Sequence, residues 1–128
     1  MSEPFIFITT SKIKEGRLDE YRTYTRKSVE IIHANEPRLI AFSTYINGDG
    51  TKATTIQVHP DVESMMFHLK VMRERMDIAF ENLELESMTV CGKVNDQFLE
   101  IAKQFAKSGA SLNVNPEALG GFTRPITD

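Results

Sequence analysis

The sequence predicts an α+β fold, a ferredoxin-like βαββαβ domain with an additional C-terminal helix and tail. Three observations lead there. Apolar residues recur at three- and four-residue steps in three long stretches, which is helical periodicity, and short β-branched or aromatic runs lie between them. Two of those runs, "RLIAFSTYI" and "ATTIQV", flank "NGDG", a turn signal that joins them as an antiparallel hairpin. Finally, "FIFI" and "LIAF" are apolar on consecutive residues, so both faces of the sheet need cover. Two long helices cover one face only. A second copy of the chain is expected on the other, giving a homodimer built as a dimeric α+β barrel.

The elements follow in order. "PFIFITTS" reads as a strand over residues 4–11. "KEGRLDEYRTYTRKSVEIIHAN" places Leu18, Tyr21, Thr25, Val29 and Ile32 on one helical face, and Asn35 with Pro37 supplies the stop. The hairpin comes next. Asp61 then caps a long helix whose inner arc holds Met65, Met66, Leu69, Met72, Arg73, Met76, Ala79 and Phe80, running on to Leu83. "LELESMTVCGKV" restores a strand over 84–94. "NDQFLEIAKQFAKS" is a third helix with Phe98, Ile101, Ala102 and Phe105 on one face. A short strand, Ser111 to Val114, precedes an extended tail. The expected organisation is one domain over residues 1–108, third helix included, and a C-terminal extension over 109–128.

Composition excludes several function classes. At 128 residues and net charge −3, with 15 basic residues scattered among 18 acidic ones, the chain has no basic block. Nucleic acid and anionic membrane are therefore not expected partners. "MSEPFIFITT" lacks a signal-peptide pattern, no stretch approaches membrane-spanning length, and a single cysteine, Cys91, excludes an intrachain disulfide. A cytoplasmic protein is expected.

Three histidines carry most of the chemical interest. His68 falls at the edge of the inner arc of the second helix, where one ring nitrogen can bond within the protein while the other meets a cavity. It reads first as a half-buried, hydrogen-bonded structural histidine and second as a group that moves a proton. His59 precedes Pro60 at a strand end, which holds it extended and away from the helix bearing His68. The pair lacks the i, i+4 spacing of helical metal ligands, so no metal site is expected. His33, near the end of the first helix, reads as a surface residue.

Hydroxyl side chains form a second signal. Tyr21, Thr25 and Ser28 share the inner arc of the first helix, where a solid core would prefer Leu or Val. They either bond to backbone carbonyls or line a pocket facing His68 and Arg73. Arg73 is either an anion-stabilising group in that pocket or a snorkelling side chain. Met65, Met66, Met72 and Met76 form a soft stripe that suits core packing and also adapts to flat ligands. Phe67, Val71 and Ile78 lie on an outer arc and want a cover, from the third helix or the tail.

The first strand, the "KIKEG" turn into a long helix, the "EP" before the second strand, the hairpin, and a helix opening after "HPDVESMMFHL" together resemble the antibiotic biosynthesis monooxygenase-like family of the dimeric α+β barrel superfamily. The resemblance covers residues 4–94. It implies a pocket between helices and sheet, and a cofactor-independent oxidation of aromatic or quinol-like substrates; relatives degrade haem. "HLKVMR" supplies His68 and Leu69 of the family's helix pattern but puts Arg73 where a second His would fall. Gln57 and His59 stand where a glutamate often ends the third strand. The chain has no Trp, and "FIFITTS" has no Asn, so haem degradation is disfavoured. The resemblance implies a monooxygenase needing no protein-bound cofactor. In it, His68 assists deprotonation, Arg73 stabilises the oxyanion, and Tyr21, Thr25, Ser28, Met65 and Met72 contact a small-molecule ligand. The alternative is a dimeric ligand-binding or stress-associated protein without chemistry.

Overall fold

The computed structural model describes residues 3–124. It contains β1 (Phe5–Ile13), α1 (Leu18–Asn35), β2 (Ala41–Ile46), β3 (Lys52–His59), α2 (Val62–Met72), a 3₁₀ turn (Arg73–Arg75), α3 (Met76–Asn82), β4 (Leu83–Cys91), α4 (Asp96–Ala106) and β5 (Ser111–Asn115). The strands form one sheet in the order β2-β3-β1-β4-β5. The first four are antiparallel neighbours in the ferredoxin-like arrangement, and β5 adds in parallel to β4 after the α4 crossover. Residues 111–115 of the expected extension are thus a fifth strand of the same sheet.

Alternation along the strands sorts the two faces. Phe5 and Phe7 of β1 and Met88 and Val90 of β4 point to one side. There they meet Val62 and Met65 of α2 and Phe98 and Ala102 of α4 in the main core. Phe98 stands edge-on to both Phe5 and Phe7, with centroids 5.2 and 5.7 Å away. Burying one such side chain contributes about 1.5–3 kcal/mol. A second cluster of Ile13, Tyr21 and Ala53 anchors the start of α1. The opposite face carries Ile6, Ile8, Ile56 and Val58, which remain partly exposed in the protomer, and Tyr45, which is 61% exposed.

Local chemistry explains most boundaries. Asp61 accepts the backbone N–H of Ser64 and caps α2, and Asn95 does the same for Phe98 at α4. β4 ends at Cys91 rather than at residue 94 because Gly92 adopts φ +116 against the Pro4 carbonyl, where a Cβ would lie 2.9 Å from the oxygen.

The long helix expected from Asp61 to Leu83 is broken. Residues 73–75 form a 3₁₀ turn, which advances about 120° per residue instead of about 100° and so rotates everything after it by about 60°. Arg73, expected on the inner arc, is turned outward and exposed, while Arg75 turns inward. Phe80, also expected inside, faces the space between helices and sheet beside Phe105 but stays 41% exposed. Val29 of α1 is exposed rather than inner. Phe67 and Ile78 stay exposed, with α4 committed to β1 and β4 instead of covering them.

Candidate functional site

A cavity of about 180 Å³ lies between the helices and the sheet. Its floor is built from Thr9 and Ser11 of β1, Phe42 and Thr44 of β2, and Thr55 and Gln57 of β3. These are alternate residues of strands in register, with Phe42 opposite Gln57 and Thr44 opposite Thr55, so they share a face. Tyr21, Tyr24, Thr25 and Ser28 form the α1 wall, and His68, Met72, Met76 and Ala79 the other. The size exceeds that of the engineered ~150 Å³ apolar cavity that binds benzene.

His68 lines this cavity and is buried. Its Nδ1 lies 2.9 Å from both carboxylate oxygens of Glu36. Glu36 is 5% exposed and occupies the residue after α1, where its N–H still bonds the Ile32 carbonyl and Pro37 prevents the helix from continuing. That geometry turns the carboxylate inward under α2. A neutral His68 that donates its Nδ1 hydrogen to Glu36 leaves the Nε2 lone pair as a base. The carboxylate then stabilises the imidazolium that forms when a proton is taken. Phe42 covers the imidazole at a centroid separation of 5.7 Å.

His59 is not held away from His68. The two rings stand 6.0 Å apart, because Asp61 starts α2 almost at once after β3 and the helix returns over the strand end. His59 is fully buried, its Nδ1 2.7 Å from Ser64 Oγ and its Nε2 2.9 Å from Gln57 Oε1. Both ring nitrogens are therefore engaged by neighbours. Burial first, and the adjacent His68 second, push its pKa from 6.5 down to about 4, so it is neutral at physiological pH. An Arg38–Asp61 ion pair closes the outer side of the α2 cap.

Beside the α1 wall, Arg75 donates to Ser28 Oγ from Nε (3.2 Å) and Nη2 (3.1 Å), and to the Tyr24 carbonyl (3.2 Å). Its guanidinium lies 4.8 Å from the centroid of the Tyr24 ring. Burial raises the pKa of the Tyr24 hydroxyl, keeping it neutral. Thr25 Oγ1 is buried and has no hydrogen-bond partner among the described residues. It is a polar atom on the cavity wall that a ligand could satisfy.

Of the residues singled out in the sequence, Tyr21, Thr25, Ser28, His68 and Met72 line this cavity. Arg73 and Met65 do not. Arg73 is displaced by the 3₁₀ turn, and Met65 is packed in the main core with Val90 and Phe98. Glu36, Gln57, Tyr24 and Arg75 were missed as site residues. For Glu36 the available signal was a carboxylate immediately before a helix-ending proline. For Arg75 there was none, since "RER" carries no mark of a tightened turn.

No protein-family model matches the chain, and no curated protein does. Solved structures do. MupZ from Pseudomonas fluorescens superposes with a TM-score of 0.74 at 20% identity, over 98% of this chain and 92% of that one. An antibiotic biosynthesis monooxygenase matches with a TM-score of 0.61 at 16% identity, over 71% of this chain and 99% of its own. SnoaB from Streptomyces nogalater, described as a cofactor-independent oxygenase and solved as a point mutant, gives 0.62 at 11% identity, over 73% and 96%. The chain has the fold of these antibiotic biosynthesis monooxygenase-like proteins. The likeness to MupZ takes in α4 and β5 as well.

Proposed function

We propose that this chain, folded as an antibiotic biosynthesis monooxygenase-like domain, belongs to that family and is a cofactor-independent monooxygenase for a small aromatic or quinol-like substrate. The observation that carries the reading is the buried Glu36–His68 pair on the wall of a cavity of ring size. A proton-accepting imidazole backed by a buried carboxylate is what removal of a phenol or enol proton requires.

The chemistry balances without a bound group. His68 Nε2 takes the hydroxyl proton, and the resulting phenolate or enolate passes one electron to dioxygen. The carbon radical and superoxide then combine to a peroxide. Where the oxidised carbon carries one hydrogen in the hydroxyl form, the peroxide expels hydroxide as that C–H bond breaks and a carbonyl forms, and the proton held on His68 joins the hydroxide as water, C–OH + C–H + O₂ → two C=O + H₂O. Tyr21, Thr25, Ser28 and Met72 orient the ring. Arg75 braces Ser28 and Tyr24 from behind. The apolar second face of the sheet, with Ile6, Ile8, Ile56 and Val58, is covered by a second copy, completing a dimeric barrel.

The test is oxygen consumption with a panel of quinols and phenols, followed by mass analysis of products formed under ¹⁸O₂. One labelled oxygen in the product, lost with His68→Ala, is expected. Turnover that persists without oxygen overturns oxygenation and keeps the proton transfer. Tight binding without turnover makes the chain a ligand-binding protein.

A further inference from the structure

We propose that Gln57 is a further catalytic residue, a hydrogen-bond donor to the substrate oxygen that His68 deprotonates, and that His59 is the positioning residue holding its amide in that orientation. The proposal rests on the substrate reading above.

Gln57 is 5% exposed and lines the cavity beside Phe42, and His59 links it to the neighbourhood of His68. Its amide has one acceptor and two donor hydrogens, and which end faces the cavity depends on His59. A neutral imidazole has one N–H, so the chain Ser64–His59–Gln57 can run in two directions. In one, the Ser64 hydroxyl donates to Nδ1 and Nε2–H donates to Gln57 Oε1, which leaves the Gln57 NH₂ for the cavity. In the other, Nδ1–H donates to Ser64 and the amide turns over, presenting its carbonyl.

Burial decides between them. Ser64 is buried, and among the described residues its hydroxyl has no partner besides His59. Reversing the chain strands that hydroxyl hydrogen in the interior, whereas the first direction uses both the Ser64 hydroxyl and the ring N–H as donors. The geometry, with Gln57 Oε1 2.9 Å from His59 Nε2, is that of the first direction. The charged or titratable groups acting on His59 are His68, Asp61 and Arg38, with Glu36 behind His68; none of them bonds to the His59 ring. An amide N–H aimed at an oxygen that becomes an anion stabilises the anion more than the neutral hydroxyl, as oxyanion-site donors do.

Two measurements test this. In ¹⁵N-histidine-labelled protein, the His59 ring is expected to be neutral with Nε2 protonated at neutral pH; an Nδ1–H tautomer overturns the positioning role. The second follows the ionisation of bound 4-nitrophenol by absorbance in wild type, Gln57→Met and Gln57→Glu. Gln57→Glu keeps an acceptor for His59 and removes the donor, so it stays informative if Gln57→Met folds poorly. The pKa of the bound phenol is expected to rise by about one unit in Gln57→Met and by more in Gln57→Glu. Unchanged values overturn the donor role while leaving phenol binding intact. Failure of wild type to bind 4-nitrophenol overturns the substrate reading itself.

Discussion

Replacing His68 by Leu removes, among the described residues, the only side-chain hydrogen-bond partner of the buried Glu36 carboxylate. Breaking a buried pair from one side costs about 3–5 kcal/mol, because the remaining charge has lost both water and partner. For a domain of this size each kcal/mol corresponds to about 3–5 °C in Tm, so a fall of about 10–20 °C is expected. Replacing both partners, Glu36→Leu with His68→Leu, leaves no stranded charge and is expected to recover most of that loss. The assay is urea unfolding of the four proteins in the double-mutant cycle, read by circular dichroism. A coupling of about 2 kcal/mol or more is expected. If the single losses simply add in the double variant, Glu36 and His68 are not a buried pair and the proton-transfer site has no basis.

Three further outcomes follow. The folded protein holds His59 at a pKa of about 4 against 6.5 in the unfolded chain, so the unfolded state binds the proton first. Stability is complete above about pH 6.5 and falls by about 3 kcal/mol on acidification to about pH 4, after which this group adds nothing further. Comparing urea unfolding of wild type and His59→Gln across that range isolates the effect. Arg75→Met is expected to cost about 1–2 kcal/mol through its lost bonds to Ser28 and the Tyr24 carbonyl. Arg73→Ala should stay within about 0.5 kcal/mol, and equal effects in urea unfolding would contradict the turned-out Arg73. Ile8→Lys places a charge opposite Ile56 on the uncovered sheet face and is expected to convert a dimer to a monomer in light scattering; unchanged mass contradicts the barrel dimer.

The order of elements was legible because each rests on local chemistry. β-branched runs made β1 and β3, "NGDG" made the hairpin, and Asp61 and the helical step made α2. Side-chain direction survived where each helix kept one period. In α1 the step carried Tyr21, Thr25 and Ser28 to the cavity. In the second helical stretch it carried His68 and Met72 there, misplaced Arg73 at the tightened turn, and still brought Met76 and Ala79 to the wall beyond it. The tightened turn is stabilised by the contacts of Arg75 with α1, a tertiary term with no local signature. Glu36 and Gln57 were hidden for a related reason. Glu36 meets its partner His68 only because α2 packs over the end of α1, and Gln57, two residues before His59 on the same strand face, bonds to it through an amide whose role only the cavity reveals.

The most direct measurement is a crystal structure with a bound phenol. The ring is expected in the cavity between α1 and the sheet, its oxygen within about 3 Å of His68 Nε2 while Nδ1 keeps Glu36. A phenol bound elsewhere, or a cavity closed by Met72 and Met76 with His68 Nε2 bonded inside the protein, would contradict it.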